Sequence, residues 1–183
     1  MLTPQDRNEL LRLARASVAA AVRGERPPKL PTAAGILAQR RGCFVTLTRS
    51  GELRGCIGIF EPYLPLGEQV IEMACEASRD SRFVFNPITP AELPHLAVEV
   101  SVLSELTKIA DPLAFELGVH GIYIAQGGRS GCFLPEVATE TGWSKEEFLS
   151  QCCAGKAGMR ALAWQDPKTT VYTFTSEKFG GEA

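Results

Sequence analysis

Apolar residues recur at three-to-four spacing from Leu10 through Ala14, Val18 and Val22, with Leu11, Leu13 and Ala21 beside them, and this spacing predicts an amphipathic helix. Thr3-Pro4-Gln5-Asp6 supplies its start: a Thr cap, a proline at the first helical position and an acid three residues after the cap. Gly24 supplies its stop, so the helix is expected to run to about Val22. A second stripe (Leu66, Val70, Met73, Ala74, Ala77) predicts a helix from about Leu66 to Ser78, with Cys75 close to its apolar side. Ser144-Lys145-Glu146-Glu147 is a capping box opening a third helix through about Cys153, which carries Phe148, Leu149 and Cys152. Shorter helical pieces are expected over Thr32–Arg40, where Gly35 weakens the pattern, and for one or two turns after Thr89-Pro90-Ala91-Glu92, ended by Pro94.

Elsewhere the period drops to two. Cys43 to Leu47 alternates, a polar turn follows over Thr48–Glu52, and Leu53 to about Phe60 reads as the returning strand of a hairpin. Ala97–Leu103 places Val98, Val100 and Val102 on one face and Glu99 and Ser101 on the other. A second hairpin is expected from Gly121–Ala125 and Cys132–Leu134, joined by Gln126-Gly127-Gly128-Arg129-Ser130-Gly131. Thr169–Thr175 closes the pattern as a strand with Tyr172 and Phe174 on one face, leaving a polar tail from Ser176. Hairpins outnumber strand-helix-strand units, so the fold class is α+β: a mainly antiparallel or mixed sheet flanked by helices. The Pro-rich Glu25–Pro31 and the Gly-rich second hairpin are where a smaller lobe could separate from a larger one, with a cleft between them as the natural ligand site.

With 183 residues, the chain suits one domain, here two subdomains within residues 1–183. A formal net charge of -2 and a pI near 5.8 argue against a protein whose main affinity comes from neutralising nucleic-acid phosphates, although a local basic groove stays open as a reading. No apolar run approaches the ~20 residues that span a bilayer, and Met1-Leu2-Thr3-Pro4-Gln5-Asp6 lacks signal-peptide features. The expectation is a cytoplasmic protein with no membrane partner. Its six cysteines are then reduced thiols; there is no C-x-x-C and only His95 and His120 as imidazoles, so no metal site or resident cofactor is expected.

Leu53-Arg54-Gly55-Cys56-Ile57-Gly58 sets a cation, a thiol and two glycines inside a strand pattern. Strict alternation would put Arg54, Cys56 and Gly58 on one face and Leu53, Gly55, Ile57 and Ile59 on the core face, with the Arg54 and Cys56 Cα atoms about 6.5 Å apart. A guanidinium at that range favours the nucleophilic thiolate, whereas a buried cysteine acts as a small hydrophobe; both readings of Cys56 stand. Gly55 and Gly58 suggest a bulge or the close approach of another backbone or a ligand. Glu99, if covered, needs a partner, for which Arg54 and Arg82 are candidates, and it could orient Arg54 or act as a general base. Asp80-Ser81-Arg82-Phe83 follows the second helix and can bring both charges to a strand end, to pair or to meet a ligand. His120 precedes a strand and reads as a turn residue or as a site residue, and Lys156, between Gly155 and Gly158, as an anion contact or as an exposed helix-terminal lysine. Gly127–Gly131 lacks a phosphate-loop pattern and reads as a hairpin turn.

The hexapeptide, together with Asp80-Ser81-Arg82-Phe83, Glu99-Val100-Ser101-Val102-Leu103, His120-Gly121-Ile122, Phe133-Leu134-Pro135, Trp143, Lys156-Ala157-Gly158 and the last strand, resembles the AMMECR-type domain family, the AmmeMemoRadiSam system protein A. The likeness covers nearly the whole chain. It departs at Val84-Phe85-Asn86, where the family usually has prolines, and at Glu136, usually glutamine. The resemblance implies a larger and a smaller subdomain around a cleft with the hexapeptide strand near it. It also implies a radical-SAM protein and a Memo-like protein as partners, any cluster or iron belonging to them. Cys56, Arg54 and Glu99 are then the catalytic candidates, and Gly55, Gly58, Asp80, Arg82, His120 and Lys156 the ligand-binding ones. Two functions are compatible with this: a subunit that binds or covalently carries a small substrate on Cys56, or a non-catalytic nucleotide or RNA adaptor using Arg54, Arg82, Arg129 and Lys156.

Overall fold

The computed structural model describes residues 2–30 and 34–181. The chain divides into two units, the first running to Leu103 and resuming at Glu177, the second spanning Ser104–Ser176. The division falls at neither the Pro-rich loop nor the glycine hairpin.

In the first unit, helix α1 (Pro4–Arg23) begins on Thr3, whose hydroxyl accepts from the Asp6 N–H while the Asp6 carboxylate accepts from the Thr3 N–H, and it ends on Gly24 at φ 72°. Helix α2 (Leu66–Ala77) follows the Pro62–Pro65 turn. Together they cover one face of a sheet ordered β2-β1-β3-β8, built from β1 (Cys43–Arg49), β2 (Glu52–Ile59), β3 (Ala97–Leu103) and β8 (Ser176–Gly180). The alternation does the sorting: Cys43, Val45, Leu47, Val98, Val100 and Val102 meet Leu10, Val18, Leu66 and Val70 in a dry core. Each such aliphatic side chain contributes roughly 1.5–3 kcal/mol by leaving water.

The β1–β2 hairpin is tighter than the five-residue turn expected, because Ser50 (φ 51°) and Gly51 (φ 82°) make a two-residue turn and Arg49 pairs with Glu52. Leu53, expected in the core, is exposed. The polar tail from Ser176 is a strand: β8 adds to β3, and Glu177 accepts from the Leu2 N–H (3.0 Å) and from Arg7 (2.9 Å). Only Gly35–Ala38 of the expected Thr32–Arg40 helix is helical, as a 3-10 turn, and residues 32–33 lie outside the described residues. The piece after Thr89 is likewise a 3-10 turn, Pro90–His95, which passes through Pro94.

In the second unit, β4 (Thr107–Ile109), β7 (Thr170–Phe174), β5 (Gly121–Gln126) and β6 (Arg129–Phe133) form a sheet in the order β4-β7-β5-β6. Helices α3 (Pro135–Thr141) and α4 (Lys145–Gly155) belong to the same unit, whose core centres on Phe148, Leu149, Ile122, Ile124 and Trp164. The glycine loop shortens to Gly127-Gly128, both at positive φ. β4 and α3 were not expected: a three-residue strand carries no periodicity, and α3 buries only Pro135 and Ala138. The strand pairs are antiparallel and helices flank them, so the architecture is α+β. No helix among the described residues is long and apolar enough to cross a membrane.

Candidate functional site

A β-bulge decides the geometry of the hexapeptide. Leu47 pairs with Gly55, yet the next residue, Thr48, pairs with Leu53, so Arg54 is the extra residue on β2. The bulge removes Arg54 from the alternation that would have set it beside Cys56. Its side chain instead lines a cavity with Ala21, Val22 and Ser78, at the ends of the helices on the covered face. There Arg54, 7 % exposed, donates from Nε to Glu92 Oε1 (3.2 Å) and from Nη2 to the Asn86 carbonyl (3.1 Å), and its guanidinium lies 5.9 Å from the Phe83 ring centre. The partner expected for Arg54, the Cys56 thiol, is therefore replaced by Glu92. Burial of this pair demands such contacts, since a buried guanidinium without a counter-charge costs several kcal/mol. Glu92 also caps Thr89, whose N–H, with Arg54 and Arg49 adding to it, holds the carboxyl below its usual range.

Gly55 explains itself by approach: a Cβ there would overlap the carbonyl oxygen of Ala77, the last residue of α2. The strand can meet the helix end only because this position has no side chain. Gly58 is likewise covered, by the ring of Phe44 on the neighbouring strand. Both glycines thus admit parts of the protein itself.

Cys56 lies on the opposite face, half-buried, directly across from Thr46, whose Oγ1 is 3.2 Å from Cys56 Sγ. Because β2 is an edge strand among the described residues, the outer side of the Cys56 backbone is open to other partners, and a charged pair takes that place. The Cys56 N–H donates to Asp80 Oδ2 (3.0 Å) and Arg82 Nη2 donates to the Cys56 carbonyl (3.2 Å). Arg82 also grips both Asp80 oxygens through Nε, at 3.0 and 3.2 Å. Asp80 is 5 % exposed, and the Arg82 hydrogen bonds, with the Cys56 N–H adding, hold its carboxyl well below the usual carboxylate range. The chain turns sharply enough to do this because Asp80 caps the Ser81–Phe83 turn that follows α2.

Glu99 stands beside Thr46 on its other side, so Cys56, Thr46 and Glu99 form one row across three strands. Its charge partner is Lys178 of β8, at 3.3 Å, in place of the Arg54 or Arg82 expected. His120 and Lys156 belong to the second unit: His120 Nδ1 accepts from the Glu116 N–H (3.1 Å) in a turn, and Lys156, exposed, lies over the Phe133 ring. The structure thus brings together Gly55, Cys56, Asp80 and Arg82, with Arg54 on the other side of the strand. Thr46, Asn86 and Glu92 were missed. Hairpin register would have found Thr46, whereas Glu92 carried only the signature of a cap.

The other thiols are buried or half-buried. Burial pushes Cys43 up to about 12 and Cys132 up to about 11, and it raises Cys75, Cys152 and Cys153 as well.

The AMMECR1 family pattern matches residues 11–179. A protein of Methanothermobacter thermautotrophicus is 42 % identical over 96 % of this chain and 96 % of its own length. One from Thermococcus kodakarensis is 42 % identical over 94 % of this chain and 89 % of its own. The crystal structure of an uncharacterized protein from Pyrococcus horikoshii superposes with a TM-score of 0.80 at 36 % identity, covering 93 % of this chain and 89 % of that one. On these matches the chain belongs to the AMMECR1 family.

Proposed function

We propose that this protein handles a small substrate through the Cys56 thiol and does so alongside a radical-SAM protein and a Memo-like protein, the partners implied by the family resemblance. One observation carries the reading: Cys56 is clamped at both backbone polar groups by Asp80 and Arg82 while its Sγ lies on the polar face of the sheet, 3.2 Å from a hydroxyl. A clamp of that kind lowers the cost of holding a reacting atom in place. Thr46 shares a hydrogen with Sγ, and Glu99, paired with Lys178, is the carboxylate next in the same row.

The alternative role, an RNA or nucleotide adaptor, draws less support. Of the four cations such an adaptor would use, Arg54 and Arg82 are paired with Glu92 and Asp80, so half of the basic patch is already matched by carboxylates.

Peptide-resolved alkylation of the native protein with iodoacetamide tests the proposal. Cys56 is expected to be modified well before Cys75 and Cys132, and Thr46→Val to change its rate while leaving the other cysteines alone. Alkylation of Cys56 no faster than of Cys75, with Thr46→Val indifferent, would sink the proposal.

A further inference from the structure

Arg54 and Glu92 lie on the wall of a polar cavity of about 570 Å³, bounded on one side by the β1–β2 turn (Arg49, Glu52) and on the other by the segment carrying Asn86 and Thr89. Two guanidiniums converge there on one carboxylate. Arg49 Nη1 lies 3.3 Å and Arg54 Nη2 3.1 Å from Glu92 Oε1, giving a cluster of two positive charges and one negative. Glu92 also accepts from the Thr89 N–H and hydroxyl, which hold its carboxylate in place.

Arg54 uses Nε and Nη2 within the protein, and among the described residues Nη1 has no hydrogen-bond acceptor. Arg49 keeps Nε and Nη2 for other partners, and its side chain is half exposed. Glu52, the remaining acid of the lining, is exposed and so screened by solvent. Burying Arg54 in a strand bulge, with its guanidinium plane fixed by Glu92, Asn86 and Phe83, gives a preorganised cation on a concave polar wall. Arginine's fork geometry suits planar or tetrahedral oxyanions, and such bonds are stronger where water is thinned out.

We propose that this cavity is a subsite for the oxyanion of a ligand, a carboxylate or a phosphate group, taken by Arg49 and the unused edge of Arg54. The site lies on the side of β2 away from the Cys56 thiol, so the inference does not depend on Cys56 being reactive, and alkylation of that thiol reports on the other reading separately.

The test is titration of the intact protein with inorganic phosphate and, separately, with acetate, at constant ionic strength, followed by calorimetry and thermal shift. Saturable binding of at least one anion is expected, and the preferred anion identifies the ligand group. Arg49→Gln, an exposed position whose loss does not threaten the fold, should weaken that binding about tenfold, the equivalent of one charge-assisted hydrogen bond. Arg54→Lys, which keeps the charge but loses the fork, should weaken it further. Binding of neither anion in the millimolar range, or equal binding by wild type and Arg49→Gln, overturns the inference.

Discussion

Gly55→Ala is the sharpest test of how the strand and the helix end support the site. The added methyl would overlap the Ala77 carbonyl oxygen and sit 3.0 Å from its carbon, where carbon atoms in contact prefer about 3.5–4.0 Å. Neither atom can swing away, since both belong to the backbone that closes α2, so β2 and α2 must part. Overpacking of this kind costs typically 1–3 kcal/mol, and backbone against backbone puts the expectation at the upper end, about 3 kcal/mol. The separation also pulls on Asp80, three residues after Ala77, and through it on the hydrogen bond to the Cys56 N–H. Urea unfolding should therefore show a midpoint shift equivalent to about 3 kcal/mol at unchanged m-value, and hydrogen exchange of the Cys56 amide should speed up more than that of Val45. As a control, Gly51→Ala, in the turn at φ 82° with open space around it, should cost only about 1 kcal/mol and leave the Cys56 amide protected. A loss under 1 kcal/mol for Gly55→Ala, with amide protection intact, would refute the account of this contact.

Asp80→Asn keeps the shape of the side chain but removes its charge, and should destabilise by about 1.5–3 kcal/mol, the range for hydrogen bonds to charged groups; the exposed Arg82 partner argues for the lower half. Because the native Asp80 carboxyl is held well below the ~3.9 of an unfolded aspartate, the unfolded chain binds the proton first on acidification, so this stability is complete above about pH 5 and drains away as the pH falls below about 4. Unfolding curves from pH 6 to 3 should show that acid limb in wild type and a shallower one in Asp80→Asn. Glu92→Gln leaves Arg54 buried without a counter-charge and should cost about 3 kcal/mol, whereas Arg49→Gln, at an exposed end of the same cluster, should cost under 1 kcal/mol; a chemical-denaturation series with the double variant gives the coupling.

Local rules carried much of the fold. The Thr3 and Ser144 capping boxes, the Gly24 stop, the apolar stripes of α1, α2 and α4 and the alternation in β1, β3 and β7 were all legible, because caps and periodicities are set by residues within a turn or two of one another. Elements without a local signature were not: β8 is a polar edge strand that exists because β3 offers it hydrogen bonds, and β4 is too short to repeat.

The site divides the same way. That Arg54, Cys56 and the two glycines were unusual in a strand could be read from composition, and so could the nearness of Asp80 and Arg82 to each other. Which face Arg54 takes could not, because one residue of register slip in a hairpin reverses a side chain, and that slip at Leu47/Thr48 is settled by Gly55 docking on α2 and by Glu92 waiting 38 residues downstream. Likewise nothing near Glu99 in the chain announces Lys178 as its partner. The sequence by itself determined the helices, the hairpins and the unusual residues. Only the tertiary structure decided that Arg54 and Cys56 serve opposite faces of one strand, since burial, charge pairing and edge protection are interactions among segments far apart in the chain.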